Sequence, residues 1–221
     1  GMEQALNSIP DIIVSDIMMP VMNGITMCKI LKEDVRTSHI PIILLTAKDS
    51  LQDKEEGYQV GADSYLTKPF SATLLHSRIN NLLESRKRLT ERFNTSTPHH
   101  NMDEKRALLA ESLNKLDNEF IEKINQLIEA RLSSEKIDIG YLADNMCMSK
   151  STLYRKMKAL TGLSTNEYVR KIKMQHAERL LLEGRYNISE VAFRVGINSV
   201  VYFRQCFKEE FGVLPSEYLK Q

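Results

Sequence analysis

Between residues 137 and 211 one pattern is written twice, and no other feature constrains the fold of this chain as strongly. In the first copy, Ile139, Leu142 and Ala143 give a short helix its apolar face. Asn145 to Met148 make a turn, and Ser149 stands where it can cap a second helix over Lys150–Leu160. That second helix turns Leu153, Met157 and Leu160 inward and leaves Lys150, Ser151, Tyr154, Arg155 and Lys158 outside. In the second copy, Ile188, Val191, Ala192 and Val195 form the short helix, and Gly196, Ile197 and Asn198 supply the turn. Ser199 then caps a helix ending near Phe211. Phe203 and Phe207 face in, while Val200, Val201, Tyr202, Arg204, Gln205 and Lys208 stay outside or at the edge. A helix-turn-helix whose second helix has a polar, basic outer face has the shape and charge to enter a major groove of duplex DNA.

A helix over about 165–183 joins the two copies. It is expected to pack Tyr168, Val169, Ile172, Ala177, Leu180 and Leu181 and to present Arg170, Lys171 and Lys173 to solvent. Ser164 with Glu167, and Asn187 with Glu190, have capping-box spacing. Gly162, Gly184 and Gly212 fall where helices should stop. Upstream, Phe120, Ile121, Ile124, Leu127, Ile128 and Leu132 recur at helical spacing, and no strand signal follows residue 117. Residues 117–221 are therefore expected to form an all-α domain with two helix-turn-helix units.

The front of the chain has a different grammar. Asp11–Asp16, Pro41–Thr46 and Ser64–Thr67 are short runs, the first two continuously apolar and β-branched, as in strands buried on both faces. Helical stretches fall at about 24–34, 51–60 and from Ser71 onward. Strand–helix alternation predicts an α/β layer with a three-stranded parallel sheet over residues 1–85. Residues 86–116 form a helical and flexible linker, in which Asn94–Asn101 break the pattern and His99 and His100 are expected to be solvated. Residues 1–85 carry a net charge of −4 and residues 135–221 a net charge of +4, so the two ends suit different partners. Cys28, Cys147 and Cys206 are too scattered for a zinc site or a disulfide framework. Free thiols, with no apolar run of membrane-spanning length and no signal segment, point to the cytoplasm. Gly1 before Met2 looks like an expression scar.

The stretch Ile188-Ser-Glu-Val-Ala-Phe-Arg-Val-Gly-Ile-Asn-Ser199, followed by Tyr202 through Tyr218, resembles the signature of AraC-type regulators. Leu142 through Ser164 resembles that family's first helix-turn-helix, so the likeness covers about 135–220. The resemblance implies two recognition helices in successive major grooves of double-stranded DNA. It places base reading on Lys150, Ser151, Tyr154 and Arg155, and on Val200, Val201, Tyr202 and Gln205. Arg155 suits guanine and Gln205 adenine, while Lys158, Arg204 and Lys208 suit phosphates. Val200 and Val201 depart from a polar reading face; thymine methyl contact and weak reading remain two alternatives.

At the front, Asp16 ends the first strand and precedes Ile17-Met-Met-Pro20, Thr46 ends the second, and Lys68-Pro69-Phe70 follows the third. A carboxylate, a hydroxyl and an ammonium at the carboxyl ends of parallel strands share one crevice. They resemble the phosphoacceptor receiver domain of two-component systems. That resemblance implies Asp16 as phosphoacceptor, with Thr46 and Lys68 holding the phosphoryl oxygens, Tyr65 as switch aromatic, and a cis Lys68–Pro69 bond. It also implies Mg²⁺, held by Asp16 and the Met18 carbonyl together with an acidic pair. Fifteen residues precede Asp16, with Glu3 the one acid before Asp11, so the acidic pair and the first two strands are absent. The expectation is an incomplete metal site with no metal bound by this chain, poor phosphorylation, and an apolar sheet edge that promotes a homodimer.

The whole resembles the receiver–linker–AraC tail of response regulators, including hybrid sensors in which a membrane kinase and a regulator share one chain. Double-stranded DNA and a sensor histidine kinase are the implied partners, with no membrane contact by this segment. The alternative is a receiver remnant without phosphoryl chemistry, serving as a dimerisation module. A small-molecule enzyme ranks far below, because no other catalytic constellation is present.

Overall fold

A computed structural model describes residues 1–47, 60–94, 113–133 and 137–219. The helix expected over 51–60 lies, but for residue 60, outside the described residues, as do His99 and His100. The chain divides into two compact units: Gly1–Arg92 with Ser112–Asn118, and Phe93–Glu111 with Glu119–Gln221.

The first unit is a three-stranded parallel sheet with helices. Its elements are α1 (Met2–Ser8), β1 (Ile13–Asp16), α2 (Gly24–Glu33), β2 (Ile42–Thr46), β3 (Ser64–Thr67) and α3 (Ala72–Asn94). The strands lie in the order β1-β2-β3. Ile13 pairs with Ile42 and Asp16 with Leu45, while Ile43 pairs with Ser64 and Thr46 with Thr67. Ile42, Ile43 and Leu44 are fully buried, which accounts for the unbroken apolar run of the middle strand. Cys28 and Leu31 of α2 join Ile42, Leu44 and Ile17 in the core. Asp63 ties strand to helix: its carboxylate accepts from the Ile42 amide at 2.8 Å and from Lys32 Nζ at 2.7 Å.

The helix α1 was not foreseen. Met2, Ala5, Leu6 and Ile9 have i, i+3, i+4 spacing, and Ala5 and Ile9 are buried. The bare apolar edge expected at β1 is thus partly covered: Ala5 sits in the same core as Ile17 and Met27, with Met2 and Ile13 packed on it. An open cavity of about 620 Å³ remains beside β1, lined by Ala5, Ile13, Val14, Met19 and Met27 among others. Ser38 and Asp117 of this unit are also buried, with the Ser38 hydroxyl donating to Asp117 Oδ1 at 2.7 Å.

The second unit holds most of α4 (Lys115–Glu129), then α5 (Ile139–Asn145), α6 (Lys150–Thr161), α7 (Thr165–Leu182), α8 (Ile188–Arg194), α9 (Val200–Phe211) and α10 (Pro215–Tyr218). Its described residues contain no strand. The helix boundaries follow their caps. Ser149 accepts from the Thr152 amide at 3.1 Å, and Ser199 from the Tyr202 amide at 3.3 Å. Both expected capping boxes form, at Ser164–Glu167 and Asn187–Glu190. Gly162 and Gly212 end α6 and α9 at φ 73° and 79°, a left-handed conformation that costs a side-chain-bearing residue energy. No helix among the described residues is long and apolar enough to cross a membrane.

Candidate nucleic-acid interface and phosphoacceptor site

In each helix-turn-helix unit the second helix is anchored by its apolar face, and this leaves the opposite face outward. Leu153 and Met157 of α6 are wholly buried, and so are Phe203 and Phe207 of α9. Lys150, Ser151, Tyr154, Arg155 and Lys158 are all exposed on α6. On α9, Val201, Tyr202, Arg204, Gln205 and Lys208 are exposed and Val200 is half-buried. Every position expected to read bases or touch phosphate therefore lies on or at the edge of an outer face.

Side chains on both faces are already engaged within the protein, Ser151 of α6 with the Ser149 hydroxyl at 2.9 Å among them. On α9, the Gln205 amide donates to Glu209 at 3.2 Å. The Cys206 thiol beside the Tyr202 phenol raises its pKa, and Arg170 opposes the rise. On α6, Lys150 lies over α5: its Nζ would be 3.2 Å from a Cβ placed at Gly140, with Asp138 Oδ2 at 2.9 Å from the same point. Gly140 therefore makes room for the root of the first recognition helix.

The joining helix corrects one expectation. Arg170 is exposed, but Lys171 and Lys173 are only 5% exposed and are not presented to solvent. Lys171 Nζ lies 3.1 Å from Glu210 of α9, and Lys173 Nζ donates to the Gly196 carbonyl at 3.3 Å. Lys156 of α6, which drew no notice in the sequence, is fully buried with its ammonium 4.9 Å from the centre of the Phe120 ring.

At the sheet, the sequence places Asp16, Thr46 and Lys68 at the carboxyl ends of β1, β2 and β3, and the fold brings two of them into contact. Lys68 Nζ is hydrogen-bonded to Asp16 Oδ2, while the Met18 amide donates to Asp16 Oδ1 at 3.2 Å. Lys68 chiefly, with the Met18 amide, holds the Asp16 carboxyl below its ordinary pKa against a smaller opposing effect of burial. Thr46 is buried, one register step from Asp16's partner Leu45, and its hydroxyl donates to the Ala47 carbonyl at 3.2 Å. Tyr65 is half-buried with its hydroxyl oxygen inside the protein. The Lys68–Pro69 bond is cis.

Family comparisons separate the same two halves. Residues 1–80 match the response regulator receiver domain, and residues 142–221 match a helix-turn-helix domain. The chain carries a receiver domain followed by an AraC-type helix-turn-helix domain. It is 35% identical over 218 residues to Histidine kinase P4 of Formosa agariphila, covering 99% of this chain and 15% of that protein. It is 41% identical over 91 residues to the DNA-binding dual master transcriptional regulator RpaA of Synechocystis, covering 41% of this chain and 38% of the regulator. The C-terminal domain of AraT, a response regulator from Geobacillus stearothermophilus, aligns at 31% identity and a TM-score of 0.42, covering 46% of this chain and 84% of that one. The chain thus spans well under half the length of the two full-length relatives.

The receiver's described residues do not by themselves suit Mg²⁺. Asp16 is already paired with Lys68, and no group of three or more His, Cys, Asp or Glu side chains is disposed to hold a metal among the described residues. A hard, strongly hydrated cation needs several oxygen donors in near-octahedral array.

Proposed function

We propose that this chain is the output end of a two-component regulator that binds specific double-stranded DNA in the cytoplasm, with no enzymatic turnover of its own. One observation carries the reading: two capped helices, α6 and α9, each follow a short helix and a tight turn. Each turns an anchored apolar face inward and basic residues outward, Arg155 and Lys158 on α6 and Arg204 and Lys208 on α9, the latter beside the exposed Val201. Arg155 and Gln205 are the bases' bidentate readers, helped by Lys150, Ser151, Tyr154, Val200, Val201 and Tyr202. Lys158, Arg204 and Lys208 bind phosphate and set the salt dependence.

The domain limits that go with this reading are a receiver over 1–85, a linker over 86–116 and the DNA-binding domain over 117–221. In the complete protein Asp16 is the phosphoacceptor. A carboxylate oxygen bonds to the phosphorus of a phosphohistidine on a sensor kinase as the P–N bond breaks, and the imidazole leaves with a proton. Lys68, already on the Asp16 carboxylate, and Thr46 then hold the phosphoryl oxygens, and Tyr65 reports the change. Phosphorylation favours a homodimer on paired sites.

The test is selection from a random duplex pool, followed by affinity measured across salt concentration. Enrichment of one motif, with log affinity falling linearly in log salt, is expected; a flat response overturns the reading. The Asp16–Lys68 pair, and the absence among the described residues of any group of three or more His, Cys, Asp or Glu side chains placed to hold a metal, favour a second reading for this segment alone, a receiver that assembles without phosphoryl transfer. Intact mass after acetyl phosphate and magnesium, beside Asp16→Ala, separates the two: an adduct lost in the variant supports phosphoryl transfer.

A further inference from the structure

Two lysines that ought to be solvated are buried in the joining helix, two residues apart, and each finds its partner at a different end of the second helix-turn-helix unit. Lys173 donates to the carbonyl of Gly196, in the turn that precedes α9. Lys171 pairs with Glu210, in the last turn of α9, with side chains 5% and 18% exposed. The recognition helix is therefore held by polar contacts at its entry and at its exit, both anchored on the single helix α7. Between them, Phe203 and Phe207 supply the apolar seat.

Buried ion pairs are poor sources of net stability, because the desolvation of both charges offsets their attraction. Their best-attested use is to fix a register among packings that apolar contact alone would leave nearly equal. Apolar burial of Phe203 and Phe207 is non-directional and specifies the roll of a helix less sharply than polar contacts do. An ammonium that must meet one carbonyl and another that must meet one carboxylate remove that freedom. Rotation of α9 would move Val201, Tyr202 and Gln205 relative to the base edges, whose hydrogen-bond geometry is strict.

From this we infer that Lys171 and Lys173 are positioning residues that set the angle at which α9 meets DNA, and are not phosphate contacts. The inference rests on the DNA-binding reading above and adds to it the residues that orient the second recognition helix. Arg170 is the contrasting case on the same helix: exposed and 3.7 Å from Glu209.

The test uses the full chain and a duplex enriched by the wild type from a random pool. A cleavage reagent tethered to Cys147, the exposed cysteine in the first unit's turn, marks which half of the footprint belongs to the first unit. Lys171→Met is expected to weaken the enriched duplex tenfold or more, to lose protection over the second half-site alone, and to leave the salt slope unchanged. Lys171→Glu combined with Glu210→Lys is expected to recover most of the loss, and Lys173→Arg to retain binding. In hydrogen exchange without DNA, Lys171→Met should speed exchange over 196–211 and leave 139–161 unaltered. A salt slope reduced by about one, with both half-sites still protected, would make Lys171 a phosphate contact and overturn the inference. So would unchanged binding, or loss of both half-sites along with cooperative unfolding. A wild type that enriches no duplex would refute the DNA reading, and the exchange pattern alone would then decide whether the lysines orient α9.

Discussion

The α-carbon of Gly24 lies so close to the backbone of Asp16 that a Cβ there would stand 2.2 Å from the Asp16 carbonyl oxygen. The Gly24 amide closes the same loop by donating to the Ile17 carbonyl at 2.9 Å. The opposing atom is backbone at the end of a strand, so it cannot swing aside as a flexible side chain would. Gly24→Ala should therefore displace the loop that follows Asp16. We expect a loss of about 3 kcal/mol, at the upper end of overpacking costs, measured as hydrogen-exchange protection over 13–46. Unchanged protection there would show that the loop yields freely.

The Asp16 carboxyl is held below its ordinary value chiefly by Lys68. A carboxylate with a depressed folded pKa adds stability that is present above its unfolded value, and that stability fades as pH falls through the folded one. A carbon-detected titration of the Asp16 carboxyl should thus show a midpoint below the ordinary aspartate range. Lys68→Met should move it upward. About a third of the Asp16 side chain is exposed, so solvent screening keeps the stability effect small. A midpoint unmoved by the substitution would mean that the pair forms only transiently.

Which parts of this architecture were legible follows from the range of the interactions. The cores of the first two strands, at Ile13–Asp16 and Ile42–Thr46, stand out as apolar runs between polar breaks, Ser64–Thr67 more weakly as a short run, and the helix ends of the second unit are marked by caps three residues apart. These are local signals. The α1 helix was missed because seven residues carry too few turns for a period to stand out, although Ala5 and Ile9 had the spacing. Helical spacing alone puts Lys171 and Lys173 toward solvent, because a charge on an amphipathic helix usually faces it. What buries them is the carboxylate of Glu210 and the carbonyl of Gly196, the latter 23 residues away, and no periodicity encodes a partner that remote. The Gln205–Glu209 contact is an ordinary i, i+4 pair and was within reach of the sequence.

The three thiols should divide sharply in reactivity. Burial pushes the Cys28 thiol up to about 11, and Cys206 is also buried, whereas Cys147 is exposed. The thiolate is the nucleophile, so at pH 8 only about one Cys28 in a thousand is in reactive form even before access is considered. Mass-resolved alkylation of the native chain should label Cys147 first, with Cys28 and Cys206 following only on unfolding. Early labelling at Cys28 would mean that the core around α2 opens readily.

Capping offers a test of the second unit without touching its outer faces. Asn187 accepts from the Glu190 amide at 3.0 Å, and Glu190 returns a bond to the Asn187 amide at 2.8 Å. Asn187→Ala should cost about 1 kcal/mol, visible as a lower urea midpoint with an unchanged slope. A null effect would mean that α8 is held by packing alone, through Val191 and Ala192, which are both fully buried.

Arg155 and Lys158 stand on the same exposed face of α6, one turn apart, and should fail in different ways. A guanidinium that meets a guanine edge bidentately contributes about 1–3 kcal/mol of discrimination, so Arg155→Ala should weaken the enriched duplex by about 5- to 150-fold. Its effect on random duplex should be much smaller. An ammonium that neutralises one phosphate carries no sequence information. Lys158→Ala should therefore weaken both duplexes alike and reduce the salt slope by about one. Equal losses on both duplexes for Arg155→Ala would remove it from base reading, and an unchanged slope for Lys158→Ala would remove it from the backbone.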